Sequence, residues 1–283
     1  MIRSRLAPTP SGYLHLGNAV NFLLTWLLVR QAGGALKLRI DDADAARSRP
    51  EYVTDIFRQL DWLGLSWDEG PSGPDDFFAR HSQLRRLDRY RELLTQLRPR
   101  GDLFYCTCSR RRIGELTANG LYPGTCRAMR ETPAAPHTIR IRVPDEIPLA
   151  ASLGDFVLWR RDDLPAYQLA SLGDDLDDQI NLIVRGQDLL PSSAAQLFLA
   201  SRLGENDFAR VEFHHHPLLT DAQGEKLSKS DNALSLYAMR QAGTTPTAVY
   251  QAAARHLGLD PAPIATLDDL AHAFAAKQIM PMP

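Results

Sequence analysis

Two short segments of the chain carry side chains suited to phosphate chemistry. In the first, residues 11–18, a small glycine-containing turn leads into an apolar stretch that predicts a helix. Backbone N–H groups at the start of a helix attract anions, and His15, three residues before Asn18, could add a donor to the same ligand. An ordinary strand-to-helix turn with a surface histidine explains this segment equally well when it is taken alone.

The second segment is GEKLSKS at residues 224–230. Its two lysines, Lys226 and Lys229, offer ammonium groups suited to the charge that builds up on a leaving pyrophosphate. A lysine-containing loop is usually solvated surface. Its combination with the turn at residues 11–18, in a chain patterned for a parallel sheet, is far more specific than either segment alone.

All three cysteines of the chain fall within 21 residues, at Cys106, Cys108 and Cys126. In a chain with so few cysteines, this clustering favours a metal site over a disulfide framework. Zn²⁺ is the cation that a thiolate-rich tetrahedral site prefers, and three thiolates leave one position open. The alternative is three buried, reduced cysteines with no metal.

The elements that position these segments follow from the hydrophobic pattern. A strand at 2–7, a helix at 16–31 and a strand at 35–40 predict a β-α-β unit, and hence a parallel sheet. The pattern predicts further helices or helical stretches at 51–63, 82–97, 193–203 and from 245 onward. It predicts further strands at 138–143, 155–160, 180–184 and 210–213, and a structural loop at the three histidines 214–216.

Composition limits the class of protein. The chain has 283 residues, of which 44% are hydrophobic and 23% charged, so disordered and fibrous classes are excluded. A net charge of −2 gives no global attraction to nucleic acid, and RNA contact would need a local patch such as the arginines at 85–100 or 110–112. No signal peptide or membrane span is predicted, so we expect a cytoplasmic protein without membrane contact. We also expect a monomer.

The two segments together resemble the signature motifs of a known family. HLGN at 15–18 and KLSKS at 226–230 resemble the HIGH and KMSKS motifs of class I aminoacyl-tRNA synthetases. Segments 7–17, 39–44, 165–170, 185–190 and 215–219 narrow the resemblance to glutamyl-tRNA synthetases, and it extends from residue 3 to about 240. Because the anticodon-binding domain of those synthetases is missing, the chain is similar to glutamyl-queuosine tRNA(Asp) synthetases.

The resemblance implies a ligase that uses ATP with Mg²⁺ to activate L-glutamate. The glutamyl group would then pass to queuosine in the anticodon of tRNA(Asp). By resemblance, the catalytic residues are His15, Gly17, Asn18, Lys226 and Lys229, and ATP binds at His15, Gly17 and Lys229. The alternatives are a truncated glutamyl-tRNA synthetase that charges tRNA(Glu), a small-molecule nucleotidyltransferase and a non-catalytic, amino-acid-binding paralogue.

The resemblance also assigns the glutamate pocket. Arg5 and Arg185 would bind the side-chain carboxylate, and Asp41 would face the ammonium group. The rest of the predicted pocket consists of Leu6, Ala7, Pro8, Thr9 and Tyr167. Asp41 departs from the family, where glutamate is usual, so the ammonium contact is expected to be longer, bridged by water or taken over by Asp42.

The implied fold is α/β, a Rossmann-like class I synthetase catalytic domain with an inserted zinc-knob, acceptor-type subdomain and a short helical C-terminal part. The two halves of the catalytic domain are predicted at 1–100 and 191–240, the insertion at 101–190 and the helical tail at 241–283. The resemblance makes Tyr122 the fourth ligand, beside the three cysteines, of one structural Zn²⁺ per chain.

Overall fold

The chain forms two structural units in the computed structural model, which describes residues 1–219 and 235–277. Unit 1 combines residues 1–82, 180–188 and the described residues from 211 onward. Unit 2 combines residues 83–179 and 189–210. Within the described residues, no helix is long and apolar enough to cross a membrane.

Seven strands and eleven helices are described in these ranges. The strands are β1 (Arg3–Leu6), β2 (Ala35–Leu38), β3 (Leu103–Cys106), β4 (Thr138–Ile141), β5 (Phe156–Trp159), β6 (Leu182–Gly186) and β7 (Glu212–His216). The helices are α1 (Leu16–Gln31), α2 (Pro50–Trp62), α3 (Pro74–Asp76), α4 (Leu87–Leu97), α5 (Arg110–Leu116), α6 (Pro148–Ser152), α7 (Tyr167–Asp177), α8 (Leu190–Leu203), α9 (Leu236–Gln241), α10 (Thr247–His256) and α11 (Leu267–Ala276).

Unit 1 is built on parallel strands. β1 pairs with β2 in parallel, with Arg3 opposite Ala35, and β6 pairs in parallel with β7. The two pairs adjoin, because the N–H of Asn181 donates to the carbonyl of Arg3 at 3.0 Å and the Ser4 hydroxyl donates to the carbonyl of Leu182 at 2.8 Å. The predicted β-α-β unit and its parallel pairing are confirmed.

Helix α1 has the bounds that the pattern predicted, and it is buried over much of its circumference. It contacts β1, β2 and β6 on the sheet as well as helix α10. The chain leaves α1 through Gly33, whose φ of +59° lies in the left-handed region that favours glycine. A Cβ at Gly34 would lie 2.6 Å from the carbonyl oxygen of Ile2, so glycine allows β2 to start close to β1.

Unit 2 contains the antiparallel sheet β3-β4-β5 and the helices α4, α7 and α8, which pack on one another. A buried polar centre joins α4 to α7, where the Tyr90 hydroxyl and the Gln83 amide donate to Asp174 at 2.8 and 2.7 Å. The boundaries of the two units differ from those of the predicted catalytic halves and insertion. Unit 2 begins at Gln83 and includes 189–210, because α4 and α8 both pack on α7.

Several local predictions differ from the structure. Helix α8 begins at Leu190, three residues earlier than predicted, and Pro191 lies in its first turn, where its missing N–H costs nothing. Helices α5 and α7 were not predicted. The predicted loop at the histidines is wrong, because β7 continues through His216 and pairs with β6 along that length.

Candidate functional site

The turn before α1 is closed by its own polar side chains. His15 is extended, with φ −112° and ψ 172°, and directly precedes the helix. Its N–H donates to the side-chain oxygen of Asn18 at 3.0 Å. In the arrangement seen here, Asn18 therefore stabilises the first turn of α1, a role that is consistent with holding His15 in place.

Gly17 allows the imidazole of His15 to lie against the first turn of α1. A Cβ at residue 17 would lie 3.0 Å from Cε1 and 3.1 Å from Nδ1 of His15, closer than ordinary van der Waals contact. The ring and the N–H groups at the start of α1 are therefore close together. This arrangement is suited to binding a phosphate group.

The described chain returns to this turn after residue 234. Ser235 forms an antiparallel bridge with His15, and the N–H of Leu236 donates to the carbonyl of Leu14 at 2.8 Å. The start of α9 is thereby fixed beside the turn.

An aromatic stack holds α9 at the same place. The rings of Tyr13 and Tyr237 are stacked with centroids 4.3 Å apart. The segment that precedes α9 contains Lys226 and Lys229, which were predicted to be catalytic. Both lysines lie outside the described residues.

Asp41 lies beside the segment predicted to line the glutamate pocket, because its N–H donates to the carbonyl of Pro8 at 2.9 Å. Its carboxylate is held by Arg39, which donates from Nε at 2.7 Å and from Nη2 at 3.3 Å. Both side chains are buried. The contact of Arg39 with Asp41 was not predicted, although two residues spaced by two on an extended chain point to the same side.

The two arginines predicted to bind a carboxylate are both buried in unit 1. Arg5 lies on β1 and is 5% exposed, and Arg185 lies on the adjoining β6 and is 3% exposed. The guanidinium carbon of Arg185 lies 5.5 Å from the centroid of the Phe213 ring. Burial and the charge of Arg185 lower the pKa of His215. A guanidinium group is always charged and presents N–H donors in a fixed fork that matches a carboxylate.

The remaining predicted pocket residues have different environments. Leu6 and Pro8 are buried, Ala7 is half-buried and Thr9 is exposed. Tyr167 is the first residue of α7 in unit 2, and 42% of its surface is exposed.

Asp42, the alternative ammonium ligand, is also buried and already engaged in unit 1. Its carboxylate accepts a hydrogen bond of 2.5 Å from the Ser82 hydroxyl. The carboxylates of Asp41 and Asp42 are thus both held by neighbouring side chains.

The three cysteines meet in unit 2. The Sγ atoms of Cys106, Cys108 and Cys126 all lie within 4.8 Å of one another, and those of Cys108 and Cys126 are 3.7 Å apart. Zinc–sulfur bonds of about 2.3 Å in a tetrahedron place two sulfurs about 3.8 Å apart, so the cluster has the size of a zinc site. The Tyr122 hydroxyl accepts a hydrogen bond of 2.7 Å from the N–H of Cys126, beside the sulfurs.

Burial and crowding perturb the ionisation of the cluster. Burial raises the pKa of Cys108 to about 11, and the neighbouring sulfurs of Cys126 and Cys106 add to the shift. Burial also raises the pKa of Tyr122. A divalent cation would offset the cost of ionising crowded thiols, and these residues could therefore hold a metal. No other group of three such ligands occurs among the described residues.

Most arginines of α4 and the turn before it have carboxylate partners within unit 2. Arg86 and Arg89 form ion pairs with Asp177, and Arg91 pairs with Asp163 at 3.1 Å. These three guanidinium groups are therefore already partnered within unit 2.

Comparison with known proteins places the chain in a family. The family of tRNA synthetases class I (E and Q), catalytic domain, matches residues 1–270. A glutamyl-Q tRNA(Asp) synthetase of Nitratidesulfovibrio vulgaris is 40% identical over 272 residues, covering 86% of this chain and 82% of that protein. Its counterpart in Synechococcus sp. (strain CC9605) is 43% identical over 255 residues, covering 87% and 80%.

Longer proteins show the same likeness. A glutamate–tRNA ligase of Anaeromyxobacter sp. (strain K) is 35% identical over 98% of this chain and 62% of its own length. The crystal structure of a glutamate-tRNA synthetase from Elizabethkingia anophelis matches 99% of this chain and 67% of its own, with a TM-score of 0.76 and 24% identity, and so shares the fold. The chain therefore belongs to the class I tRNA synthetases of the E and Q type, within the glutamyl-Q tRNA(Asp) synthetase family.

Proposed function

We propose that this protein activates L-glutamate with ATP and transfers the glutamyl group to queuosine in the anticodon of tRNA(Asp). The observation that carries the proposal is the turn at His15 and Gly17, where an imidazole lies against a helix N-terminus in the unit that buries Arg5 and Arg185. The identity of about 40% to glutamyl-Q tRNA(Asp) synthetases supports the choice of acceptor.

In the activation step, an α-carboxylate oxygen of glutamate attacks the α-phosphorus of ATP, and the bond to pyrophosphate breaks. The N–H groups at the start of α1 and the ring of His15 bind and orient the phosphates. Lys226 and Lys229 are proposed to stabilise the charge on the departing pyrophosphate, and Mg²⁺ that arrives with ATP neutralises further charge. No covalent intermediate with the protein is required.

Different buried groups of the protein are proposed to bind the carboxylate and the ammonium group of glutamate. Arg5 and Arg185 of unit 1 are proposed to bind the side-chain carboxylate. The contact of Tyr167 with glutamate stays a prediction. Asp41 is proposed to face the ammonium group of glutamate, and Arg39 donates to both of its carboxylate oxygens. The ion pair also fixes the direction in which the short aspartate side chain points.

In the transfer step, a hydroxyl group of queuosine attacks the carbonyl carbon of the adenylate. The new ester bond forms as AMP departs with the bonding electrons, and the hydroxyl proton passes to the phosphate or to water. Positioning of the two reactants supplies most of the acceleration in such a step.

We propose that Cys106, Cys108 and Cys126 hold one Zn²⁺, with Tyr122 or a water molecule as the fourth ligand. The metal would be structural, because these residues belong to a small apolar cluster with only Phe104 and Ile113 as further fully buried members. Metal ligation stabilises such a segment where its own core is too small. We further propose that the protein acts in the cytoplasm as a monomer, where its thiols stay reduced.

The test has two stages. The first measures ATP–pyrophosphate exchange with each amino acid and no RNA; we expect exchange with glutamate, and exchange with another amino acid alone would refute the pocket. The second measures acylation of tRNA(Asp) with and without queuosine, and of tRNA(Glu). Acylation of tRNA(Glu) alone would instead favour a glutamate–tRNA ligase, to which the chain is also similar.

A further inference from the structure

One part of unit 2 is strongly basic although the chain as a whole is not. Residues 98–142 contain nine arginines and three acidic residues, whereas the whole chain has a net charge of −2. Part of this charge is neutralised, because Arg127 pairs with Asp145 and Asp155. The remaining excess of arginine is suited to a polyanion.

A cavity of about 200 Å³ lies in this basic segment. Its polar lining comes from Arg98, Tyr105 and Arg130, and no acidic side chain contributes to it. Gly101 has a φ of +73° and turns the chain from the helical turn Arg98–Arg100 toward β3. The turn therefore brings Arg98 back to the side of Tyr105.

The two arginines of the cavity differ from those of α4. Among the described residues, no carboxylate lies within ion-pairing distance of Arg98 or Arg130, whereas Arg86, Arg89 and Arg91 each have an aspartate partner. An arginine without an anionic partner keeps its affinity for one. The charge in this cavity is therefore available to a ligand.

Both guanidinium groups are nevertheless positioned by the protein. Arg98 donates to the Tyr105 hydroxyl at 3.3 Å, and Arg130 donates to the carbonyl of Leu103 at 2.5 Å. The N–H of Tyr105 donates to the carbonyl of Met129, which fixes β3 beside the residue that precedes Arg130. A guanidinium group carries five N–H donors. Each therefore has donors that remain for a bidentate contact with phosphate oxygens.

We propose that this cavity binds one phosphate group of an RNA backbone. The inference rests on the proposed function, which makes RNA a substrate of the protein. Cys106 follows Tyr105 directly and Cys126 lies four residues before Arg130, so the cysteine cluster holds both sides of the cavity in place. A contact of this kind contributes affinity and register on the RNA but no sequence recognition.

The experiment measures RNA binding by fluorescence anisotropy from 50 to 200 mM salt. It compares the wild type with Arg98→Ala/Arg130→Ala, and with Arg100→Ala as the matched control. Arg100 is an exposed arginine of the same helical turn that does not line the cavity. A third variant, Arg98→Lys/Arg130→Lys, keeps the positive charge of both positions. Restored RNA binding in this variant would show that the effect of the double alanine change comes from lost charge and not from unfolding.

The logarithm of the RNA-binding constant falls linearly with the logarithm of the salt concentration. Loss of one phosphate contact makes this negative slope shallower by about 0.7 to 0.9. We expect this change for the double alanine variant, little change for Arg100→Ala and recovery of most of the slope by the double lysine variant. A double alanine variant that binds RNA as Arg100→Ala does would overturn the proposal.

A parallel titration with inorganic phosphate distinguishes the two sources of the ligand. If the double alanine change weakens binding of inorganic phosphate and leaves RNA binding unchanged, the site is one for free phosphate and the RNA assignment is wrong. Glutamate-dependent pyrophosphate exchange without RNA is measured separately. Absence of that exchange in the wild type would contradict the proposed function, while the salt dependence would still decide the phosphate site.

Discussion

Replacing Gly17 by alanine should separate catalysis from stability. The new Cβ would lie 3.0 and 3.1 Å from two atoms of the His15 ring, so the ring must move by a few tenths of an ångström. Since displacement of a catalytic group by about 1 Å can cost about 100-fold in rate, we expect kcat for glutamate activation to fall about three- to tenfold. This corresponds to about 0.7 to 1.4 kcal/mol in the activation barrier.

The Gly17→Ala change should not lower the stability of the protein, although it lowers kcat. Gly17 lies in the first turn of α1, and alanine is favoured over glycine within a helix by up to about 1 kcal/mol. We therefore expect an unchanged or higher melting temperature. The melting temperature of Gly114→Ala gives the effect of helix propensity alone, because a Cβ at this position in α5 meets nothing within 4 Å.

The measurement is the kcat and KM of ATP–pyrophosphate exchange, together with thermal unfolding. Gly12→Ala is a second control in the same turn, because its Cβ also meets nothing within 4 Å. A Gly17→Ala enzyme that retains the wild-type kcat would refute the reasoning that this glycine sets the position of His15. A fall in melting temperature would show that the contact is relieved by the helix instead of by the ring.

Three further changes test other parts of the molecule. Arg185→Lys should lower kcat/KM for glutamate about tenfold or more in pyrophosphate exchange, because one ammonium cannot replace a planar guanidinium fork; near-normal kcat/KM would move carboxylate recognition elsewhere. Cys126→Ser or chelation should remove one zinc per chain by elemental analysis and impair transfer to tRNA more than activation; zinc-free protein with three titratable thiols would refute the site. Burial lowers the pKa of His216 and His256 below the usual value of about 6.5. Between pH 7 and pH 5 the unfolded chain therefore binds more protons than the folded one. The free energy of unfolding should consequently fall as the pH decreases over this range. In urea unfolding, His256→Gln should weaken this dependence of the free energy of unfolding on pH, whereas His272→Gln, at an exposed site, should not. An equal pH dependence in the two variants would contradict the role of His256.

The sequence predicted the first β-α-β unit accurately because its signals are local. A wide apolar face and the glycine pair Gly33-Gly34 determine the length of α1, and both can be read from consecutive residues. Helix α7 was not predicted because its sequence contains a glycine and three aspartates, and no strong apolar stripe. Its stability comes from tertiary contacts, among them the buried bonds of Asp174 to Tyr90 and Gln83.

The candidate site could be predicted only in part for a similar reason. The resemblance selected Asp41 for the ammonium group, but it did not reveal that Arg39 holds that carboxylate. Ser235 likewise carries no motif, although its bridge to His15 fixes the start of α9 beside the turn. Motifs identify groups that contact substrates, whereas the residues that orient those groups depend on pairings between distant segments of the chain.

The distribution of these groups between the two units has a consequence for the chemistry. His15, Gly17, Arg5, Asp41 and Arg185 all belong to unit 1, whereas the cysteine cluster and the basic cavity belong to unit 2. Activation needs only glutamate and ATP, but transfer also needs RNA. Changes in the cysteine cluster or the cavity should therefore alter the dependence on RNA more than the exchange reaction. The separation explains why the two reactions, measured on the same variants, can test the two sets of residues independently.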